Sequence, residues 1–257
     1  MKIALFSDIH ANLPALEAFF ADVETKNVDA IYCLGDLVGY NIWPNEVVEE
    51  IRKRKIPCIA GNYDLGIGRS SNDCGCAYKT EEEKANGAIS ISLTHDLMKE
   101  ENRNYLRSLP AHIRLEFQLN DSNLSLLLVH GSPRRINEYL FEDREEKSLL
   151  RILEKADADI LCFGHTHKPF HRILNSGDEA KPHYRHAINL GSVGKPKDND
   201  PRGCYVLLDL IERTSVLDRH SISVEFVRFD YEVEKAAQAV EESILPDIYA
   251  VNLRRGY

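Results

Sequence analysis

The stretch MKIALFSDIHANLPALEAFFADV, residues 1–23, decides the fold class of this chain. Residues 2–7 form a short apolar run with the composition of a buried strand, and Asn12 follows as a residue that can cap a helix. The helix is predicted by an apolar stripe at helical spacing, which consists of Leu13, Leu16, Phe20 and Val23. A buried strand that leads directly into an amphipathic helix is typical of an α/β protein.

The same alternation continues through the first half of the chain. Apolar runs at residues 30–34 and 56–60 predict two more strands, and the amphipathic stretch 45–54 predicts a helix between them. Strands that alternate with helices indicate βαβ units and a parallel sheet. Residues 66–78 have the composition of a loop.

The second half of the chain is richer in strands. The predicted helices cover residues 81–97, 99–108, 147–156 and 231–243. The predicted strands cover residues 113–119, 124–129, 160–163, 170–174, 187–190, 204–210 and 222–229, with a turn at 120–123. We see no repeat and no linker, so we predict a single domain over residues 1–257 with two packed sheets and outer helices.

Composition narrows the function classes. The 257 residues are 43% apolar and 28% charged, with a net charge of −9. A long nucleic-acid footprint usually requires a basic protein, so we expect none here. No run reaches the length of a membrane span, and the start of the chain resembles no secretory signal, so we expect a cytoplasmic protein.

Polar side chains follow five of the predicted strands at the point where each strand ends. In chain order these clusters are Asp8-Ile9-His10, Gly35-Asp36, Gly61-Asn62-Tyr63-Asp64, His130-Gly131 and Gly164-His165-Thr166-His167. In open α/β sheets, sites form outside the carboxyl ends of the strands. We therefore expect the five clusters to converge on one crevice.

The residue types in these clusters are those of a metal site. The candidate donors are Asp8, His10, Asp36, Asn62, His130, His165 and His167. Imidazole and carboxylate together suit Mn, Fe, Zn or Ni. Seven donors exceed what one tetrahedral zinc uses, and they approach what two metals need if one carboxylate bridges them.

Each cluster also has an ordinary structural interpretation. Asp36 suits a plain turn, Asn62 and Asp64 suit turns closed by their own side chains, and His130 suits a hydrogen-bonded core position. The histidine pair His165 and His167 has few structural uses. The conjunction of all five clusters, each after a predicted strand, favours the metal site.

In this order the motifs D-x-H, G-D, G-N-x-D, H-G and G-H-x-H resemble the calcineurin-like metallophosphoesterase superfamily, and the segment from Asn189 to Pro196 is similar to its small stand-alone bacterial and archaeal members. The resemblance implies a four-layer αββα sandwich with two mixed sheets flanked by helices. It also implies two divalent metal ions, with manganese favoured, and a metal-dependent phosphoesterase in which a hydroxide between the metals attacks phosphorus.

The resemblance implies a role for each candidate donor. The first metal would be held by Asp8, His10 and His167, the second by Asn62, His130 and His165, and Asp36 would bridge both. The catalytic set implied in this way comprises Asp36, Asn62, His130 and Asp64. Arg134, Asn189 and Ser192 are candidates for contact with the substrate, although an exposed arginine and a tight turn are the ordinary alternatives for them.

Two positions depart from the protein phosphatases of that superfamily. Many of them carry histidine between the asparagine and aspartate of G-N-H-D, where this chain has Tyr63. That histidine is thought to protonate the leaving group, so the resemblance identifies no residue of this chain as the general acid. Gly39 stands where those phosphatases carry an acidic residue, which favours the small-molecule or diesterase branches.

The predicted function is therefore hydrolysis of a small phosphorylated substrate, either a phosphomonoester or a phosphodiester, with nucleotides and dinucleoside polyphosphates among the candidates. The alternative is a non-catalytic, protein-binding scaffold of the same fold, such as the retromer subunit. The complete donor set favours the enzyme, and Tyr63 is the feature that favours the scaffold. Cys74 and Cys76 lack the spacing of a zinc ribbon, and we interpret them as part of a loop that overhangs the site.

Overall fold

The computed structural model describes residues 1–119, 123–178 and 180–257, and its strands form two sheets. The strands are β1 Lys2–Phe6, β2 Ala30–Cys33, β3 His112–Gln118, β4 Asn123–Val129, β5 Ile160–Phe163, β6 Phe170–Asn175, β7 Tyr184–Asn189, β8 Gly203–Asp209 and β9 Ser223–Phe229. One sheet has the order β2-β1-β8-β9, and the other has the order β3-β4-β5-β7-β6. Both sheets are mixed, because β1–β2 and β4–β5–β7 pair in parallel while their neighbours pair antiparallel.

Helices cover the outer faces of the two sheets. They are α1 Leu13–Val23, α2 Pro44–Lys53, α3 Asn62–Gly68, α4 Glu81–Leu97, α5 Glu100–Ser108, α6 Glu146–Lys155, α7 Val233–Glu241 and α8 Asp247–Arg255. Asn12 caps α1 as predicted, because its side-chain oxygen accepts a hydrogen bond from the N–H of Ala15 at 3.2 Å.

The two-residue period of the strands creates the layers. In β1, Phe6 points to the helix side and its ring lies 4.2 Å from that of Phe19 in α1. Leu5 points the other way and belongs to the core between the sheets, together with Leu126 of β4. On the far side, Leu149 of α6 packs with Leu161 of β5. This arrangement of helix, sheet, sheet and helix confirms the predicted αββα sandwich.

Two local predictions were wrong, and one helix was missed. Residues 56–60 form only a single parallel bridge between Cys58 and Cys33 of β2, and Pro57 has no N–H with which to extend the pairing. The stretch 62–68 is the helix α3, so the loop begins three residues later than predicted. The helix α8 was not predicted at all.

The turn predicted at residues 120–123 falls largely on residues 120–122, which lie outside the described part of the chain. None of the helices in the described ranges combines the length and the hydropathy that a membrane span requires.

Candidate metal centre

Two groups of buried donor atoms lie at the carboxyl ends of the strands. The first group consists of Asp8, His10 and His167, and the second of Asp36, His130 and His165. Within each group, one ligand atom from every residue lies within 4.8 Å of the others. The polar clusters that follow β1, β2, β4 and β5 therefore meet at one place, as their positions in the sequence predicted.

Asp36 lies between the two groups. Its Oδ2 atom is 3.6 Å from His10 Nε2 in the first group and 3.3 Å from His130 Nε2 in the second. The amide oxygen of Asn62 lies 3.1 Å from the same His130 nitrogen. Asp36 therefore lies within reach of both groups, and Asn62 lies beside the second group.

Three of the histidines are oriented by backbone carbonyl groups. The Nδ1 atom of His10 lies 3.1 Å from the carbonyl oxygen of Val38, and that of His130 lies 2.8 Å from the carbonyl of Leu34. His167 makes the equivalent contact with Lys195. A carbonyl oxygen accepts only, so each Nδ1 carries a proton and, in a neutral ring, Nε2 keeps its lone pair for a ligand.

Two buried polar atoms in this centre have no hydrogen-bond partner among the described residues. They are Asp8 Oδ1 in the first group and His165 Nε2 in the second. Leaving a buried polar atom unpaired costs about 1–3 kcal/mol, so each such atom calls for an explanation, and a bound ion is one. One unpaired polar atom in each group, with the Nε2 atoms of His10 and His167 only 3.2 Å apart, is an environment that a cation at each group would satisfy.

The electrostatics of the centre depend on burial and on Asp36. Burial lowers the pKa of His10 to about 3, and burial together with His130 lowers that of His165 to about 4. Burial also lowers the pKa of His130, but the adjacent Asp36 carboxylate outweighs it and raises the value to about 10. The pKa of Asp36 itself lies well below its ordinary value, because His130 outweighs the effect of burial.

Asp64 supports two of the ligand loops from behind. Its Oδ1 atom accepts the N–H of Leu37 at 2.9 Å, and its Oδ2 atom accepts the N–H of Gly61 at 2.9 Å. Leu37 follows Asp36 and Gly61 precedes Asn62, so one carboxylate fixes both ligands. Both oxygens are used in this way, which favours a positioning role for Asp64 over the catalytic role that the resemblance implies.

The two departures from the phosphatase pattern contact each other. A Cβ atom added to Gly39, whose φ is +91°, would lie 2.4 Å from the ring of Tyr63. The tyrosine ring is 1% exposed, and its centroid lies 5.5 Å from that of His10. Gly39 therefore leaves the space that the bulky residue at position 63 requires.

The structure gives the predicted substrate residues other partners. Arg134 forms a two-pronged ion pair with Glu138, whose Oε2 atom lies 2.9 Å from the arginine Nε. Asn189 is fully buried and donates to the carbonyl of Gly164, while Ser192 is fully buried and donates to the carbonyl of Asp8. These contacts favour the ordinary alternatives, a surface arginine and a tight turn.

Sequence reasoning missed Lys195, whose backbone carbonyl contacts His167 of the first group. Lys195 is 7% exposed, and its Nζ atom lies 4.7 Å from the ring centroid of Tyr40. Cys76 lies at the second group, with its Sγ atom 3.5 Å from Asn62 Nδ2, so the loop that carries it does overhang the site. The motif around Lys195 was visible in the sequence, but burial of a lysine has no sequence signal.

The chain is similar in sequence and in fold to several known proteins. The chain is 33% identical to an uncharacterized protein of Methanocaldococcus jannaschii over 95% of this chain and 94% of that protein. It is 27% identical to the UDP-2,3-diacylglucosamine hydrolase of Shewanella piezotolerans over 69% of this chain and 87% of that one. The crystal structure of a metallophosphoesterase from Sphaerobacter thermophilus superposes with a TM-score of 0.73 at 29% identity, covering 100% of this chain and 99% of the other.

The match to a whole family also covers most of the chain. The calcineurin-like phosphoesterase superfamily domain matches residues 1–213, which include both groups of donor atoms. Given this match together with the αββα fold, the chain belongs to the calcineurin-like phosphoesterase superfamily.

Proposed function

We propose that this protein is a dinuclear, metal-dependent phosphoester hydrolase that acts on a small phosphorylated substrate. The observation that carries the proposal is the position of Asp36 between two buried groups, each of which contains a buried polar atom without a hydrogen-bond partner among the described residues. Asp8, His10 and His167 would hold one cation, and Asn62, His130 and His165 the other, with Asp36 common to both. Carboxylate and imidazole donors suit Mn, Fe, Zn or Ni, with Mn²⁺ as the first choice.

Two bound divalent cations would lower the pKa of a water molecule and neutralise phosphoryl oxygens during an in-line displacement. The protein's own contribution is preorganisation. The backbone carbonyls of Val38 and Leu34 fix His10 and His130, and Asp64 fixes the loops that present Asp36 and Asn62. Side chains held in this way need little rearrangement when charge develops on the phosphoryl group.

Metal-stripped protein with added Mn²⁺ provides the test. It is assayed on phosphomonoesters, cyclic and linear phosphodiesters, nucleotides and dinucleoside polyphosphates. A UDP-linked sugar joins the panel because one relative is named for such a substrate. We expect metal-dependent turnover of at least one class, and loss of it in Asp36→Asn.

The matched control is Asp143→Asn, which removes the same charge as Asp36→Asn. Asp143 is exposed and belongs to neither group of donor atoms. Turnover that does not depend on added metal, or that survives Asp36→Asn, would contradict the proposal. Absence of turnover on the whole panel, with metal bound, would favour the protein-binding scaffold.

A further inference from the structure

Two aromatic rings lead from the second donor group to the surface of the protein. The Tyr139 ring lies against the ring of His165, with the two centroids 4.1 Å apart and the planes tilted by 38°. The Phe141 ring follows, with its centroid 5.8 Å from that of Tyr139 and the two planes within 12° of parallel. The second arrangement is that of an offset-stacked pair. We refer to Tyr139 and Phe141 as the aromatic row, which begins at a candidate ligand.

The segment that carries the aromatic row is fastened to the loop that overhangs the site. The amide group of Asn137 donates to the carbonyl oxygen of Gly75 at 3.0 Å, and the hydroxyl oxygen of Tyr139 accepts the N–H of Ala77 at 3.4 Å. Gly75 and Ala77 flank Cys76, the residue with which that loop reaches the second group. The aromatic row therefore lies beside the opening that this loop leaves over the donor atoms.

The aromatic row is also anchored to the core. Leu140, which lies between its two residues, is buried and belongs to the apolar cluster that contains Leu149 of α6 and Phe163 of β5. A side chain packed in this way restricts the backbone on both sides of it. The two rings are therefore held in place before any ligand binds, which lowers the entropic cost of binding to them.

Phe141 is the exposed end of the aromatic row. The residue is 46% exposed, and within the described ranges it is the only phenylalanine with so much free surface. A single apolar side chain at the surface is ordinary and needs no explanation. Phe141 differs because its ring continues the rings of Tyr139 and His165, so its free surface lies two rings from a candidate metal ligand.

A substrate of the proposed function has a phosphoryl group and a group esterified to it. When the phosphoryl group occupies the metal centre, the esterified group extends from there toward solvent. The Tyr139 hydroxyl is already used by Ala77, so the aromatic row offers a ligand mainly uncharged ring surface. Such surfaces bind planar aromatic groups well, and every nucleobase has a π-face that can stack on them.

Building on the proposed function, we propose that Phe141, supported by Tyr139, is a stacking platform for an aromatic ring of the substrate. The substrate class is then a nucleotide or another phosphoester whose esterified group carries a planar ring, in preference to sugar phosphates and lipid phosphates. Stacking of one ring corresponds to about 5- to 50-fold in binding. Phe141 is thus a specificity residue that contacts the part of the substrate that does not react.

The kinetic test compares AMP with ribose 5-phosphate by phosphate release. The two esters share the same primary leaving oxygen and differ in the base, so the comparison isolates the contribution of the ring. If the protein cleaves only diesters, the methyl diesters of the two compounds form the same pair. We expect the wild-type protein to prefer AMP in kcat/KM, and we expect Phe141→Ala to reduce that preference by about 5- to 50-fold, mainly through KM.

Three further variants show what kind of contact Phe141 makes. Phe141→Trp keeps a π-face and should retain the preference, whereas Phe141→Leu keeps an apolar side chain without a π-face and should lose most of it. The matched control is Tyr257→Ala, which removes another exposed aromatic ring and should leave the preference unchanged. Tyr257 is 64% exposed and belongs to neither group of donor atoms. Melting curves will show whether each variant is folded.

A binding measurement separates this proposal from the proposed function. Saturation-transfer NMR of AMP with the metal-stripped protein needs no turnover and reports which ligand protons touch the protein. We expect the protons of the base to receive more saturation than those of the ribose. The signal of the base should disappear in Phe141→Ala and persist in Phe141→Trp and in Tyr257→Ala.

Absence of turnover, with saturation of the base that depends on Phe141, would refute the proposed function and leave the platform intact. Turnover with no preference for AMP over ribose 5-phosphate in the wild-type protein would refute the platform alone. Equal losses on both substrates in folded Phe141→Ala would also refute it, because a merely structural role affects both alike. A preference that survives in Phe141→Leu would indicate a general apolar contact, such as one with an acyl chain, and would overturn the aromatic assignment.

Discussion

Tyr63 provides the sharpest test of how this site works. It occupies the position at which the phosphatase motif carries a histidine that protonates the leaving group. The ring is 1% exposed, and its hydroxyl lies 3.4 Å from that of Tyr78, a long distance for a hydrogen bond. Burial and the neighbouring Tyr40 hold the pKa of Tyr63 well above its ordinary value. We therefore expect Tyr63 not to act as a general acid at neutral pH, where the best acid has a pKa near the operating pH.

The size of the effect follows from what an acid would contribute. A positioned general acid accelerates such reactions by about 10²–10⁴-fold, and most for alkoxide leaving groups that need a proton. The wild-type protein should therefore hydrolyse nitrophenyl esters far faster than simple alkyl phosphates. Tyr63→Phe removes only a weakly bonded hydroxyl, so it should change kcat/KM by less than about threefold. Tyr63→His should accelerate alkyl substrates by up to about 10²-fold, the lower end of the range for an acid.

The assay is a plot of log(kcat/KM) against leaving-group pKa for the wild-type protein, Tyr63→Phe and Tyr63→His. We expect a steep negative slope in the first two and a shallower slope in the third. Thermal melting confirms that the variants keep the fold around Gly39. A shallow wild-type slope that becomes steeper in Tyr63→Phe would show that the tyrosine, or a network through it, is the acid after all.

Three further predictions concern the same centre. Asp36→Asn should abolish detectable turnover and reduce the Mn²⁺ content, measured by elemental analysis, below about two ions per chain. Asp64→Asn should lower activity by about 10–100-fold, as loss of an orienting partner does. Equal losses of activity in the two variants would contradict the bridging assignment. Because the pKa of His130 is about 10 before metal binds, the ring is protonated at pH 8 and must lose a proton when the metal binds. Calorimetry in buffers of different ionisation enthalpy should therefore find about one proton released and a metal affinity that rises about tenfold per pH unit. A titration with no proton release would refute this ionisation state. Gly39→Ala should destabilise the fold by about 2–4 kcal/mol, because position 39 has a left-handed φ and an added Cβ atom would clash with the Tyr63 ring. Adding Tyr63→Ala to the same chain should relieve the clash, which a double-mutant cycle of urea unfolding can measure. Additive effects would show that the two positions are independent.

The site could be predicted from the sequence because most of the candidate ligands directly follow predicted strands. Asp8 and Asp36 each follow a short apolar strand, and parallel strands bring such residues to one edge. The two packed sheets were predictable for the same reason, since period-two patterns and apolar runs identify strands. Gly39 and Tyr63 were noticed in the sequence as separate departures, but only the three-dimensional structure shows that the Tyr63 ring fills the space that a side chain at position 39 would occupy.

Other features have no local signal. Lys195 lies in a polar segment, where a lysine is ordinarily exposed, and only the tertiary fold places its ammonium group over the ring of Tyr40. Arg134 was predicted near substrate phosphate because of its place in the chain, but it forms an ion pair with Glu138, four residues further along the same loop. Pairings of this kind depend on side-chain geometry that the spacing of residues does not determine.

The backbone conformation of the candidate ligands explains how short turns can present side chains to two groups of donor atoms. Five of them have a positive φ, at 57° for Asp8, 51° for His10, 54° for Asp36, 65° for His165 and 58° for His167. Left-handed backbone costs a residue with a side chain about 1–2 kcal/mol, so five such residues together represent a substantial share of the stability of an ordinary domain. In a regular strand, residues two apart would point to the same side. The left-handed turns let His165 join the second group while His167 joins the first. Such strain persists only where the surrounding structure enforces it, and here interlocking loops do so, since the N–H of His165 donates to Asp8 Oδ2 at 3.0 Å. The strained geometry is thus the means by which short turns supply two adjacent groups of donor atoms.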